Sequence, residues 1–108
     1  MNLPKEVSPA QAAALVRGGA RMIDIREAAE RKSAGVIPGA AHAPLSALRA
    51  ARIEAAPGQA LIFHCKAGGR TKQNAEALAG KAGACEIYLL QGGIDAWRDA
   101  GLPVEAPR

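Results

Sequence analysis

The chain has 108 residues, a formal net charge of +4, 49% apolar residues and 3% aromatic residues. That length makes one domain, spanning residues 1–108, with an ordinary core that needs no disulfide or metal to hold it. The basic residues are scattered and aromatics are nearly absent, which argues against nucleic-acid binding and leaves the attraction of small anions as the expected use of the charge.

The first clear element is a helix. Ser8-Pro9-Ala10-Gln11 fits a capping box with proline at the first helical position. Ala12, Leu15 and Val16 fall at helical spacing, and Gly18-Gly19 ends the element. Arg21 to Ile25 reads as a strand, and a short polar helix is expected over Glu27 to Lys32. Val36-Ile37-Pro38-Gly39 is a turn, and Ala40 to Ala43 a short strand stopped by Pro44. Ser46 is read as the cap of a helix carrying Leu48 and Ala51, and Pro57-Gly58 as another turn. Leu61-Ile62-Phe63 is a buried strand by length and composition. One helix is expected from about Gly69, with Ala75, Leu78, Ala79 and Ala82 on one face. Ile87 to Leu90 is the last strand, and Gly92-Gly93 turns the chain into a final helix holding Ile94 and Trp97.

Strands alternate with helices almost throughout, which argues for a parallel sheet covered on both faces. Ligands of such sheets bind outside the carboxyl ends of the strands. The segments leaving those ends are Asp24-Ile25-Arg26, Cys65 to Thr71, and Gln91-Gly92-Gly93.

Cys65-Lys66-Ala67-Gly68-Gly69-Arg70-Thr71 is the segment that carries chemistry. A free thiol titrates near 8.5 and falls to roughly 3.5–7.5 at a helix N-terminus or beside cations. Gly68 and Gly69 let the backbone curl so that N–H groups converge on the sulfur, and Lys66 and Arg70 add positive charge. Arg70 suits a two-point grip on an oxyanion. The alternative for Cys65 is a buried structural thiol, which glycines and cations beside it disfavour.

The remaining candidates have blander readings. His64 adjoins the nucleophile, but adjacent strand residues face opposite ways, so packing or a hydrogen bond is expected of it, as of His42. Asp24 and Arg26 either pair with each other or with Glu30 on the surface, or support the site, Asp24 bracing the loops and Arg26 adding positive potential. Trp97 reads as core and Gly92-Gly93 as a turn. Cys85 precedes the last strand, across the sheet from Cys65. A strand of about five residues spans ~17 Å, too far for a disulfide. Two histidines and two cysteines at no ligand-like spacing give no metal site, and no cofactor is implied. Met1 to Glu6 carry no apolar leader core, and no run approaches the ~18 apolar residues of a membrane span, so a soluble protein of a reducing cytoplasm is expected.

Separated segments of the chain resemble a rhodanese domain nearly end to end. The family's C-R-S-G-x-R-S loop corresponds to Cys65 to Thr71. Its D-V/I-R, glutamate and G-H-I-P-G-A series corresponds to Asp24-Ile25-Arg26, Glu30 and Gly35 to Ala40, and its G-G-x-x-x-W to Gly92 to Trp97. Val36 stands where the family commonly has histidine, Ala67 where serine is frequent, and Lys66 where arginine is usual. Within the family the closest likeness is to the catalytic domain of bacterial inner-membrane rhodaneses. It rests on Ala43 to Ser46, Ile62 to Cys65, Arg70-Thr71 with Asn74-Ala75, and Ile94 to Trp97 with Ala100 to Val104. In that group a hydrophobic hairpin follows the catalytic domain, so a longer, membrane-attached parent protein is compatible with this chain.

The resemblance implies an α/β three-layer fold with a central, mainly parallel sheet of about five strands and helices on both faces. It also implies a sulfurtransferase. Cys65 takes the outer sulfur of thiosulfate as a persulfide and passes it to cyanide or a thiol. Lys66 and Arg70 bind the donor's sulfonate, and Thr71 offers its hydroxyl. Two rival readings remain. One is a phosphatase or arsenate reductase, whose related loops are C-x5-R where this chain has C-x4-R; the other is a non-catalytic interaction module.

Overall fold

The computed structural model describes residues 4–53, 55–83 and 85–107. Residues 1–3, on which part of the reading of Met1 to Glu6 falls, and Arg108 lie outside them. Five strands form one sheet: β1 (Lys5–Val7), β2 (Arg21–Asp24), β3 (Ala41–His42), β4 (Leu61–His64) and β5 (Ile87–Leu90). Their order is β1-β5-β4-β2-β3, every pairing parallel. The helices are α1 (Pro9–Arg17), α2 (Ala28–Ala34), α3 (Gly69–Gln73), α4 (Ala75–Ala82) and α5 (Gly93–Asp99).

The central strand β4 is buried along its whole length, which is why it reads as an apolar run without alternation. Its side chains alternate between two cores. Leu61, Phe63 and Cys65 join Ile23, Leu78 and Leu89 on one face; Ile62 joins Ala12, Leu90, Ile94 and Trp97 on the other. Burying each large apolar side chain contributes about 1.5–3 kcal/mol, so the two layers hold the carboxyl ends of the strands in fixed register.

The capping box at the start of α1 forms as expected. The Gln11 amide donates to Ser8 Oγ at 3.2 Å, and the Ser8 amide to Gln11 Oε1 at 2.9 Å. The Trp97 indole N–H donates to the Pro103 carbonyl at 2.8 Å, anchoring the chain after α5.

Three expectations need correction. The three-residue strand β1 escaped the sequence reading, because Lys5 and Glu6 are exposed and only its pairing with Tyr88 to Leu90 makes it a strand. Ser46 caps no helix: residues Leu45–Ala47 form a single 3-10 turn, and the Ser46 hydroxyl and amide both donate to the Glu27 carboxylate. The helix from Gly69 is two helices. The Asn74 amide and side chain both donate to the Arg70 carbonyl, at 3.1 and 2.8 Å, and Asn74 leaves helical geometry (φ −113°, ψ 18°) before α4 restarts. Among the described residues, no helix is long and apolar enough to cross a membrane.

Candidate active site

Cys65 follows β4 at the carboxyl edge of the sheet, where β4 lies between β2 and β5. The residue is 1% exposed. Its Sγ accepts a hydrogen bond from the Gly68 amide at 3.1 Å and lies 3.9 Å from Thr71 Oγ1. Gly68 reaches that position only with φ +95°, a conformation that favours glycine. Its carbonyl in turn accepts from the Thr71 hydroxyl at 3.0 Å and the Lys72 amide at 3.3 Å. The Thr71 hydroxyl thus sits between the Gly68 carbonyl and the sulfur, within reach of both.

The loop is fastened from the other side by α5. The Cys65 carbonyl accepts from the Ile94 amide at 2.9 Å, and the Lys66 carbonyl from the Asp95 amide at 3.0 Å. These bonds satisfy amides in the first turn of α5, which have no partner within the helix. They place Gly92-Gly93 at the site as a structural clamp, a role sequence reasoning assigned only to a turn.

The loop cations are each already paired. Arg70 Nη1 and Nη2 donate to Glu30 Oε1 and Oε2 at 2.6 Å each, and Lys66 Nζ donates to Asp95 Oδ2 at 2.9 Å. The Arg70 hydrogen bond holds the Glu30 carboxyl below its ordinary value, and Glu30 in turn pushes Arg70 up. Ala67 is exposed, and Gly69 opens α3. The Glu30–Arg70 pairing was invisible in the sequence, where 40 residues separate the partners; only the presence of Glu30 between Asp24-Ile25-Arg26 and Gly35 hinted at a role.

Asp24 and Arg26 pair with each other, as one reading expected, but in the interior and not at the surface. Both side chains are almost fully buried. Asp24 Oδ1 accepts from the Arg26 amide at 2.9 Å and from Arg26 Nε at 3.0 Å, and Oδ2 accepts from Nη2 at 2.8 Å. Arg26 Nη2 also donates to the Gly35 carbonyl at 2.8 Å, and Arg31 Nε lies 3.2 Å from Asp24 Oδ2. Burial opposes the Asp24 charge, but the Arg26 hydrogen bonds and the surrounding cations outweigh it and hold the carboxyl below its usual range. Asp24 thus braces the turn out of β2 toward α2.

His64 lies across from Asp24 in the β2–β4 register, with Nε2 3.8 Å from Asp24 Oδ2 and Nδ1 3.3 Å from the Cys65 carbonyl. Burial pushes its imidazole below 6.5, which keeps it neutral. It faces the core opposite to Cys65. His42 Nε2 lies 2.7 Å from the Arg26 carbonyl and fastens the turn after β2. Both cysteines are free, and Cys85 precedes β5 at the end of the sheet away from Cys65. Among the described residues no group of three or more His, Cys, Asp or Glu is placed to hold a metal ion.

A cysteine on a glycine-hinged loop at the carboxyl edge of a parallel three-layer α/β sheet defines a class of thiol-centred α/β domains. The sequence model of the rhodanese-like domain matches residues 8–100, and the chain belongs to that family. It is 36% identical over 101 residues to a thiosulfate sulfurtransferase, GlpE, of Ectopseudomonas mendocina, covering 94% of this chain and 90% of the relative. It is 34% identical over 86 residues to a sulfurtransferase of Allochromatium vinosum, covering 80% and 78%. Among solved structures, a rhodanese-related protein of Thermoplasma volcanium shares the fold with a TM-score of 0.81 at 23% identity, over 95% of this chain and 99% of that one. A Rhodopseudomonas palustris protein of unknown function, described as a possible tyrosine phosphatase, gives 0.77 at 28% identity, over 94% and 85%. The family and the two sulfurtransferase relatives support sulfurtransferase activity.

Proposed function

We propose that residues 1–108 work as one rhodanese domain, a thiosulfate sulfurtransferase in a reducing cytoplasm, with Cys65 as its nucleophile. The Cys65 thiolate attacks the outer sulfur of thiosulfate. The new S–S bond forms as the bond to the sulfonate sulfur breaks, and the electron pair of that bond leaves with sulfite. The persulfide anion left on Cys65 then gives its terminal sulfur to cyanide, yielding thiocyanate, or to a thiol, yielding a second persulfide, and the Cys65 thiolate returns. No metal or cofactor enters these steps.

The observation that carries this reading is the 3.1 Å hydrogen bond from the Gly68 amide to Cys65 Sγ. A backbone donor aimed at the sulfur is placed to hold the persulfide anion and stays in place through transfer, an oxyanion-hole arrangement applied to sulfur. Lys66 and Arg70 supply the cationic rim for the donor's sulfonate.

The test is intact-mass spectrometry after thiosulfate treatment. Wild type gains one sulfur atom, Cys65→Ala gains none, and Cys85→Ala behaves as wild type. Wild type that takes up no sulfur would overturn the proposal.

A further inference from the structure

Both cations of the Cys65 loop hold a carboxylate, but the two pairs are not alike. The Lys66–Asp95 pair is a single contact between side chains 62% and 38% exposed. Water screens it, and an incoming anion displaces it at little cost. Arg70 and Glu30 are 34% and 33% exposed and meet at two points, 2.6 Å each. That two-point geometry is one a guanidinium offers an oxyanion, so Glu30 occupies the terminal edge that a sulfonate would grip end-on. Glu30 is anchored as well, since its Oε1 accepts from the Glu27 amide at 3.3 Å in the capping box of α2.

We propose that Glu30 is a specificity-determining residue, a tethered carboxylate that competes with the donor for Arg70. The inference rests on the reading of Cys65 as acceptor of sulfur from an anionic donor, and it deepens that reading. A sulfonate reaches the terminal edge of Arg70 only by displacing Glu30. The displaced carboxylate has somewhere to go: a cleft of about 260 Å³ between α2 and α5 is bordered by Glu30, Lys66 and Arg98. Glu30 therefore weakens binding of small, highly charged donors without touching the sulfur chemistry.

Glu30→Gln tests this, because it removes the charge and keeps an acceptor for the Glu27 amide. The KM for thiosulfate should fall about three- to tenfold, the range for freeing a partly exposed two-point pair, with kcat within about twofold. Glu30→Asp, which keeps the charge, should hold KM above that of Glu30→Gln. Asp95→Asn, at the screened pair, should change KM less than Glu30→Gln does. A readout independent of turnover is calorimetric binding of thiosulfate to Cys65→Ala with and without Glu30→Gln, where the double variant should bind more tightly. Unchanged or weaker binding, or a KM that rises while kcat falls, overturns the proposal and makes Glu30 a structural support of Arg70. Tighter binding in the double variant, in a protein whose wild type transfers no sulfur, upholds the role of Glu30 and overturns the sulfurtransferase reading instead.

Discussion

Gly93 lies directly against the backbone that leaves Cys65: a Cβ at this position would sit 2.4 Å from the Lys66 carbonyl oxygen and 2.5 Å from that of Cys65. These are the carbonyls that accept from the Asp95 and Ile94 amides. The close approach and the hydrogen bonds are one arrangement, which ties the first turn of α5 to the nucleophile loop.

Gly93→Ala meets two costs. Its φ of +63° disfavours any side chain by about 1–2 kcal/mol, and the clash with backbone cannot be relieved by rotating a side chain. The sum is expected to reach about 3 kcal/mol or more. Gly58 has a similar φ of +78°, but nothing lies within 4 Å of its Cβ position, so Gly58→Ala should lose only the conformational share. Urea unfolding of both variants checks the difference, and equal losses would mean the loop and α5 are not locked together. Gly93→Ala should also lower sulfur transfer, since the loop moves with the clash, whereas Gly58→Ala should leave it unchanged.

The contrast between these glycines shows what a sequence conceals. The loop from Cys65 to Thr71 was legible because its chemistry is local: thiol, glycines and arginine lie within seven consecutive positions. The alternation of strands and helices was legible for the same reason, since each element carries its own periodicity. What stayed hidden depends on partners distant in the chain. Glu30 reaches Arg70 across 40 positions, and the carbonyls of Cys65 and Lys66 meet α5 across 29 positions in each case, Cys65 to Ile94 and Lys66 to Asp95. Arg26 reads either as a surface partner of Asp24 or as a support of the site, and its burial against Asp24 and the Gly35 carbonyl shows only in the folded chain. Lys5-Glu6-Val7 has no strand signature of its own, and its edge pairing with β5 supplies the structure.

Acid should destabilise the protein in two stages. Burial holds the His64 imidazole below 6.5, so as the pH drops beneath that value the unfolded chain gains a proton that the folded chain refuses. Stability then falls by up to about 1.4 kcal/mol per pH unit. Asp24, held below 3.8, is the second group. Its contribution is fully present above the unfolded value and is lost as the pH falls through the lower, folded one. Glu30, held below 4.5 by Arg70, acts in the same direction with a smaller share because it is a third exposed. Denaturant unfolding from about pH 7.5 to 3.5 should show a gradual decline below 6.5 and a steeper one below about 4. His64→Gln should flatten the first decline and leave the second. An unchanged slope between pH 6.5 and 5 in that variant would remove His64 from the account.

Phosphatase activity should be absent, despite the likeness to a Rhodopseudomonas palustris protein described as a possible tyrosine phosphatase. Only four residues separate Cys65 from Arg70, one fewer than in the C-x5-R loop of the phosphatase reading, and the Gly68 amide already donates to the sulfur at 3.1 Å. Phosphoryl transfer spreads charge over three equatorial oxygens and needs several donors aimed at them. Here the carbonyls of Cys65 and Lys66 are held by α5, so the loop has little freedom to widen around a tetrahedral phosphate. Hydrolysis of p-nitrophenyl phosphate should stay at background at protein concentrations that turn over thiosulfate. Release of p-nitrophenol that disappears in Cys65→Ala would mean that the loop opens well beyond the Gly68–Cys65 hydrogen bond and accommodates a phosphate.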